Sequence, residues 1–196
     1  MDKFQNKYRI PSTRLQNWDY RWAGAYFITI CTHNRKHYFG EIHNGKMELS
    51  HIGIIADILW YEIPYHAQNV ELGAFVVMPN HVHGIIIITN DNDNNNTVPV
   101  VVETLHATSL PPLREPSSEP KNEQMSKISP KPHSISTIVR SYKSAVTKHA
   151  RRLGFEFQWQ SRFYDHIIRN DEAFQKITRY INNNPINWKE DKFFKF

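Results

Sequence analysis

Residues 25–32, 70–77 and 82–88 are dense in β-branched, aliphatic and aromatic side chains and read as strands. The last two are joined tightly through Pro79-Asn80, so an antiparallel pair is expected there. Between them and the first strand, Ile52, Ile55, Leu59 and Ile63 recur at helical spacing, and Pro64 is expected to end that helix. Residues 38–49 suggest a hairpin-like excursion around the turn dipeptide Asn44-Gly45. Ile135, Ile138, Val139, Tyr142 and Val146 form a second apolar stripe, a helix for which Ser136 is the expected N-cap. Residues 157–168 are aromatic and β-rich. A last stripe, Phe174, Ile177 and Ile181, opens after Asn170 or Asp171 and closes at Asn184-Pro185. The order β-α-β-β-α-β is that of an α+β ferredoxin-like sandwich, an antiparallel sheet with helices on one face, here with a trailing C-terminal helix.

Residues 90–133 break this pattern. They begin in an Asn/Asp run and hold 7 of the 11 prolines, a composition that buries too little apolar surface to offset its ordering entropy. We read them as a flexible insertion within a single domain spanning residues 1–196, with one apolar run at 98–102 suited to an edge strand. The single cysteine, Cys31, excludes an internal disulfide. No stretch approaches the ~18 apolar residues of a membrane helix, and the first residues lack a signal-peptide core. A cytoplasmic protein with no membrane partner is expected. The short tail after Trp188 offers no dimerisation element, so a monomer is expected rather than a homodimer.

The net charge of +5 is unevenly spread. Residues 134–196 carry 12 Lys and Arg against 6 Asp and Glu, interleaved with Phe155, Phe157, Trp159, Phe163, Tyr164 and Trp188. Cations among aromatic rings suit nucleic acid, where the former meet phosphates and the latter stack on unpaired bases. An ordinary solvated basic face has the same composition. Arg140, Lys143, Arg162 and Arg169 are the candidate phosphate contacts.

The chemistry concentrates in His81-Val82-His83, which opens the strand ending in four isoleucines. A strand has a side-chain period of two, so both imidazoles point to one face and form half of a divalent-metal site. Exposed polar residues of a half-buried sheet would look the same, and zinc hydrolases also use paired histidines. On the last helix, Tyr180 and Asn184 are four residues apart and share a face at the border of the apolar stripe. That face can present a phenol and an amide to the neighbouring sheet. A core-edge tyrosine and a C-capping asparagine are the structural alternative.

The histidine-hydrophobic-histidine motif followed by a helix with Tyr180-x-x-x-Asn184 resembles the HUH endonucleases with one catalytic tyrosine, and more narrowly the REP-associated tyrosine transposases. Residues 22–32, 78–84, 141–144, 159–169 and 180–185 carry further resemblance in the same order. The resemblance implies the HUH fold, Mg²⁺ or Mn²⁺ held by His81, His83 and Asn184, and attack by Tyr180 on hairpin-forming single-stranded DNA to give a 5′-phosphotyrosine. Related insertion-sequence enzymes often have Gln where this chain has Asn184. Tyr164 is a rival nucleophile without a ligand partner at helical spacing, and His166 is expected to line the site or pack. A domesticated hairpin-DNA binder with little cleavage activity is the alternative function. A zinc-dependent hydrolase is a third, although His-Glu-x-x-His and Cys-x-x-Cys motifs are both missing.

Overall fold

The computed structural model describes residues 18–67, 69–89 and 133–190. Residues 98–102 and nearly all of the expected insertion lie outside the described residues. The described elements run β1 (Gly24–Cys31), β2 (Gly40–His43), β3 (Lys46–Leu49), α1 (His51–Tyr61), α2 (Ile63–His66), β4 (Val70–Met78) and β5 (His81–Ile88). After them come α3 (Ile135–Arg152), β6 (Tyr164–Ile168) and α4 (Asp171–Asn183).

Four strands form one antiparallel sheet in the order β4-β5-β1-β6, while β2 and β3 pair apart from it. Leaving that hairpin aside, the main sheet has ferredoxin-like connectivity. Because side chains alternate across a strand, the sheet has two different faces. Tyr26, Ile28, Ile30, Val82 and Ile86 are buried on one face against α1 and α3. The phenol of Tyr142 ties those helices together, donating to the carbonyl of Ala56 at 2.9 Å. On the other face, Ile85, Ile168 and Ile181 form a separate cluster under α4, with Phe174 and Ile177 packed against it. Complete burial of Ile181 contributes about 1.5–3 kcal/mol and fixes which way α4 faces the sheet.

Three local expectations change. The N-cap of α3 is Ser134, whose Oγ accepts from the amide of Thr137 at 3.4 Å; Ser136 lies in the first turn because Ile135 is already drawn into the core. Pro64 does not end α1. It stands in the first turn of α2, where its missing N–H has no helical partner to lose. Residues 157–163 are largely irregular: Phe157 and Trp159 turn into the core, and Arg162 adopts φ 67°, which breaks the extended run before β6. The cap of α4 is Asn170, as expected, with Oδ1 accepting from Ala173 at 2.8 Å.

Candidate active site

His81 and His83 open β5 at its pairing with the end of β1, His81 opposite Cys31 and His83 opposite Thr29. Both are fully withdrawn from solvent, with exposures of 0% and 1%. Their rings lie 4.4 Å apart. Each ring is held through Nδ1. That of His81 lies 2.8 Å from Asn80 Oδ1, an oxygen that only accepts, so Nδ1 is the donor, and in the neutral ring Nε2 carries the lone pair. The Nδ1 of His83 lies 2.8 Å from Thr29 Oγ1. When that nitrogen donates to Thr29, the second Nε2 is an acceptor as well. Neither clamp was singled out from sequence. Asn80 is adjacent to the motif, whereas Thr29 is found only through the β1–β5 register.

Tyr180 approaches from α4, its hydroxyl 3.2 Å from His83 Nε2. The side chain is 40% exposed, so the phenol is accessible from the rim of the site. Asn184 lies one turn further on and is 2% exposed, with its Oδ1 fully buried. One turn beyond that, Trp188 packs 5.9 Å from the His81 ring. Tyr180 thus meets His83 and Trp188 meets His81, with Asn184 between them in sequence. Among the described residues no three His, Cys, Asp or Glu side chains converge on a metal position. The buried amide oxygen of Asn184 is a potential donor of another kind.

Phe27 anchors the aromatic neighbourhood. It stacks on His83 at 5.2 Å and meets Tyr180 and Tyr164 edge-on at 6.1 and 6.4 Å. Tyr164 pairs with Thr29, which pairs in turn with His83, so its backbone is two strand spacings from the histidine, about 9.5 Å. His166 pairs with Phe27 and is exposed on the same edge strand. Neither residue is in the position that Tyr180 holds.

No protein-family model matches the chain. An uncharacterized protein of Haemophilus influenzae is 37% identical over 184 residues, spanning 93% of this chain and 92% of that protein. The chain belongs to the same family as that protein. Its fold is similar to that of a REP-associated tyrosine transposase bound to a REP hairpin, with a TM-score of 0.54 and 18% identity over 92% of this chain and 77% of the other. The resemblance in the motifs and the likeness in fold thus lead to the same architecture. No described helix is long and apolar enough to cross a membrane.

The four basic candidates do not form one cluster. Arg140 and Lys143 lie on α3, along a groove shared with residues 157–161. The ammonium of Lys143 donates to the carbonyls of Gln160 and Arg162 at 2.7 and 3.1 Å, so this lysine braces the irregular loop. Partial burial lowers its pKa from the usual lysine value. Arg162 is exposed at the left-handed turn of that loop, and Arg169 is exposed just after β6.

Proposed function

We propose that this protein is a DNA endonuclease and strand transferase of the transposase kind, which cuts hairpin-forming single-stranded DNA with Tyr180 as nucleophile. One observation carries the reading: the Tyr180 hydroxyl lies 3.2 Å from Nε2 of a clamped, buried histidine pair, with Asn184 buried one turn away. The REP hairpin bound to the transposase of similar fold supports a hairpin as substrate.

The residues present fit a divalent cation. His81 and His83 would hold it through Nε2 and Asn184 through Oδ1, a set of two borderline nitrogens and one hard oxygen that suits Mn²⁺ and admits Mg²⁺. When bound, the cation acts as Lewis acid and template toward the scissile phosphate. The three side chains that would hold it are neutral, so its charge would stay available to a nearby phenol. Tyr180 then attacks phosphorus: the Tyr–O–P bond forms, the bond from phosphorus to the 3′-oxygen breaks, the phenol loses its proton, and the 3′-oxygen takes one up. The 5′-phosphotyrosine conserves the phosphodiester for rejoining to another 3′-hydroxyl without ATP. The half-exposed setting of Tyr180 lets an extended strand reach it, while burial of both imidazoles keeps the ligand side rigid.

Incubation of the protein with fluorescent DNA hairpins from its gene's flanks, with Mn²⁺, Zn²⁺ or EDTA, tests this. We expect an SDS-resistant protein–DNA band with Mn²⁺ that is lost with EDTA and in Tyr180→Phe. A band that survives Tyr180→Phe but disappears in Tyr164→Phe would transfer the nucleophile to the edge strand. Tight hairpin binding without a band under any metal would leave a domesticated binder. Hydrolysis with Zn²⁺ alone, without a covalent band, would indicate a zinc hydrolase.

A further inference from the structure

Lys148 and Arg151 stand out on α3 because the reaction above makes no use of them. With Arg140 and Ser144 they line one side of a groove of about 640 Å³, whose other wall is the loop from Phe157 to Ser161. Positions 140, 144, 148 and 151 share one helical face, and the cations are spread over about 16 Å of helix length. All three cationic side chains are exposed. The groove lining contains no carboxylate, and none of the three is ion-paired among the described residues. Trp159 forms part of the loop wall, partly buried, its indole N–H given to the carbonyl of Lys143 at 3.1 Å. Lys143, braced on the carbonyls of Gln160 and Arg162, fixes the wall in place.

The backbone of the loop wall lies close to the strand that carries the histidine pair. The amide of Gln160 donates to the carbonyl of Cys31 at 2.9 Å, and Cys31 pairs directly with His81. The amide of His33 likewise bonds to the carbonyl of Gln158 at 2.9 Å. The wall of the groove is thus within two strand spacings of the histidine pair, about 10 Å.

We infer that this groove holds the phosphate backbone of the substrate's duplex stem through Arg140, Lys148 and Arg151, while the single-stranded segment continues to His81 and His83. The inference rests on the proposed reading as a DNA-processing enzyme. One strand of a duplex advances about 3.4 Å per phosphate, so the cationic row matches a run of about five phosphates. The row reads backbone, not sequence: it sets position and supplies counterion release, leaving base selection to other parts of the protein.

The experiment measures equilibrium binding of a fluorescein-labelled 10-base-pair DNA hairpin with a single-stranded tail, from 50 to 200 mM salt, without divalent metal. An unstructured oligonucleotide of equal length is the comparison. Each lost phosphate contact lowers the slope of log K against log salt by about 0.9, so Lys148→Ala/Arg151→Ala should lower it by about 1.8. Salt then weakens binding about 12-fold less across that range than in the wild type. Arg140→Gln should lower the slope by about 0.9, and it keeps the test decisive if the double variant folds poorly. Unchanged slopes in both groove variants, or a loss seen only with the unstructured oligonucleotide, would overturn the assignment. Absence of hairpin binding by the wild type would overturn it too. Groove variants that lose hairpin affinity while the wild type gives no covalent band would sustain the groove and remove the nuclease reading.

Discussion

Gly84, immediately after the histidine pair, tests how the sheet sets the site. It pairs with Ile28 on one side and Phe75 on the other, on the face covered by α1. A β-carbon added there would lie 2.2 Å from Trp60 Cζ2, 2.8 Å from Cη2 and 2.9 Å from Cε2. Ordinary carbon contacts are about 3.5–4.0 Å, so the indole would have to retreat by more than ~1 Å. It has no room to do so. Trp60 is fully buried, stacks on Phe75 at 4.4 Å with planes 7° apart, and meets Tyr142 edge-on at 5.3 Å. Overpacking typically costs about 1–3 kcal/mol, and a wedged indole belongs at the upper end. For a chain of this size, ~3 kcal/mol lowers Tm by roughly 6–12 °C. Thermal and urea denaturation of Gly84→Ala, Trp60→Phe and the double variant form the assay. Trp60→Phe removes the ring that meets the new methyl, together with a buried N–H that lacks a hydrogen-bond partner among the described residues. The double variant should therefore be more stable than the sum of the single costs predicts, by about 0.5–3 kcal/mol. A Gly84→Ala protein that melts within about 1 °C of wild type, or strictly additive costs, would refute the packing argument.

Two further outcomes follow from buried hydrogen bonds. Thr29→Val keeps side-chain volume but removes the 2.8 Å partner of His83 Nδ1; we expect a stability loss of about 1–3 kcal/mol and Mn²⁺ binding weaker by about 10–100-fold in calorimetry. Unchanged values for both would separate Thr29 from the proposed metal site. Burial holds the Tyr142 phenol well above its usual pKa of 10.0, and its charge is further opposed by Asp57. The folded state then keeps a proton that the unfolded chain loses, so this stability is complete below pH 10.0 and declines as pH rises above it. Urea denaturation from pH 8 to 11 should show the decline, at up to about 1.4 kcal/mol per pH unit, and Tyr142→Phe should remove that component. The lowered pKa of Lys143 acts with the opposite sign below 10.5, and it does so in both proteins.

Much of the architecture was legible because its strands and helices carry strong periodic signals. Alternation placed His81 and His83 on one face, and helical spacing brought Tyr180 and Asn184 to one side of α4. The less legible parts depend on packing between distant segments. Ser136 and Ser134 are both acceptable caps by residue type; only the burial of Ile135 chooses between them. Residues 157–163 have strand-like composition because Phe157 and Trp159 fill the core from an irregular loop, a role that composition shares with a strand. Thr29 looked like any residue of a β-branched strand until the register set it opposite His83. Gly84 read as part of a motif beside the histidines, yet its constraint comes from Trp60 on the opposite face of the sheet.

The C-terminal segment explains how the tyrosine can be accessible and still accurately placed. Ile181, fully buried beside Ile85 and Ile168, fixes the helix against the sheet three residues before Asn184. After the helix, Trp188 closes over Met78 and lies 5.9 Å from both His37 and His81. Asn184 is held between these two anchors. Tyr180, one turn earlier at the border of the stripe, needs no burial of its own to be positioned. To reach the proposed cation, an amide one methylene shorter than glutamine would need such a close seat, its backbone brought nearer to make up the difference. The contact between Tyr180 and His83 is formed within one chain.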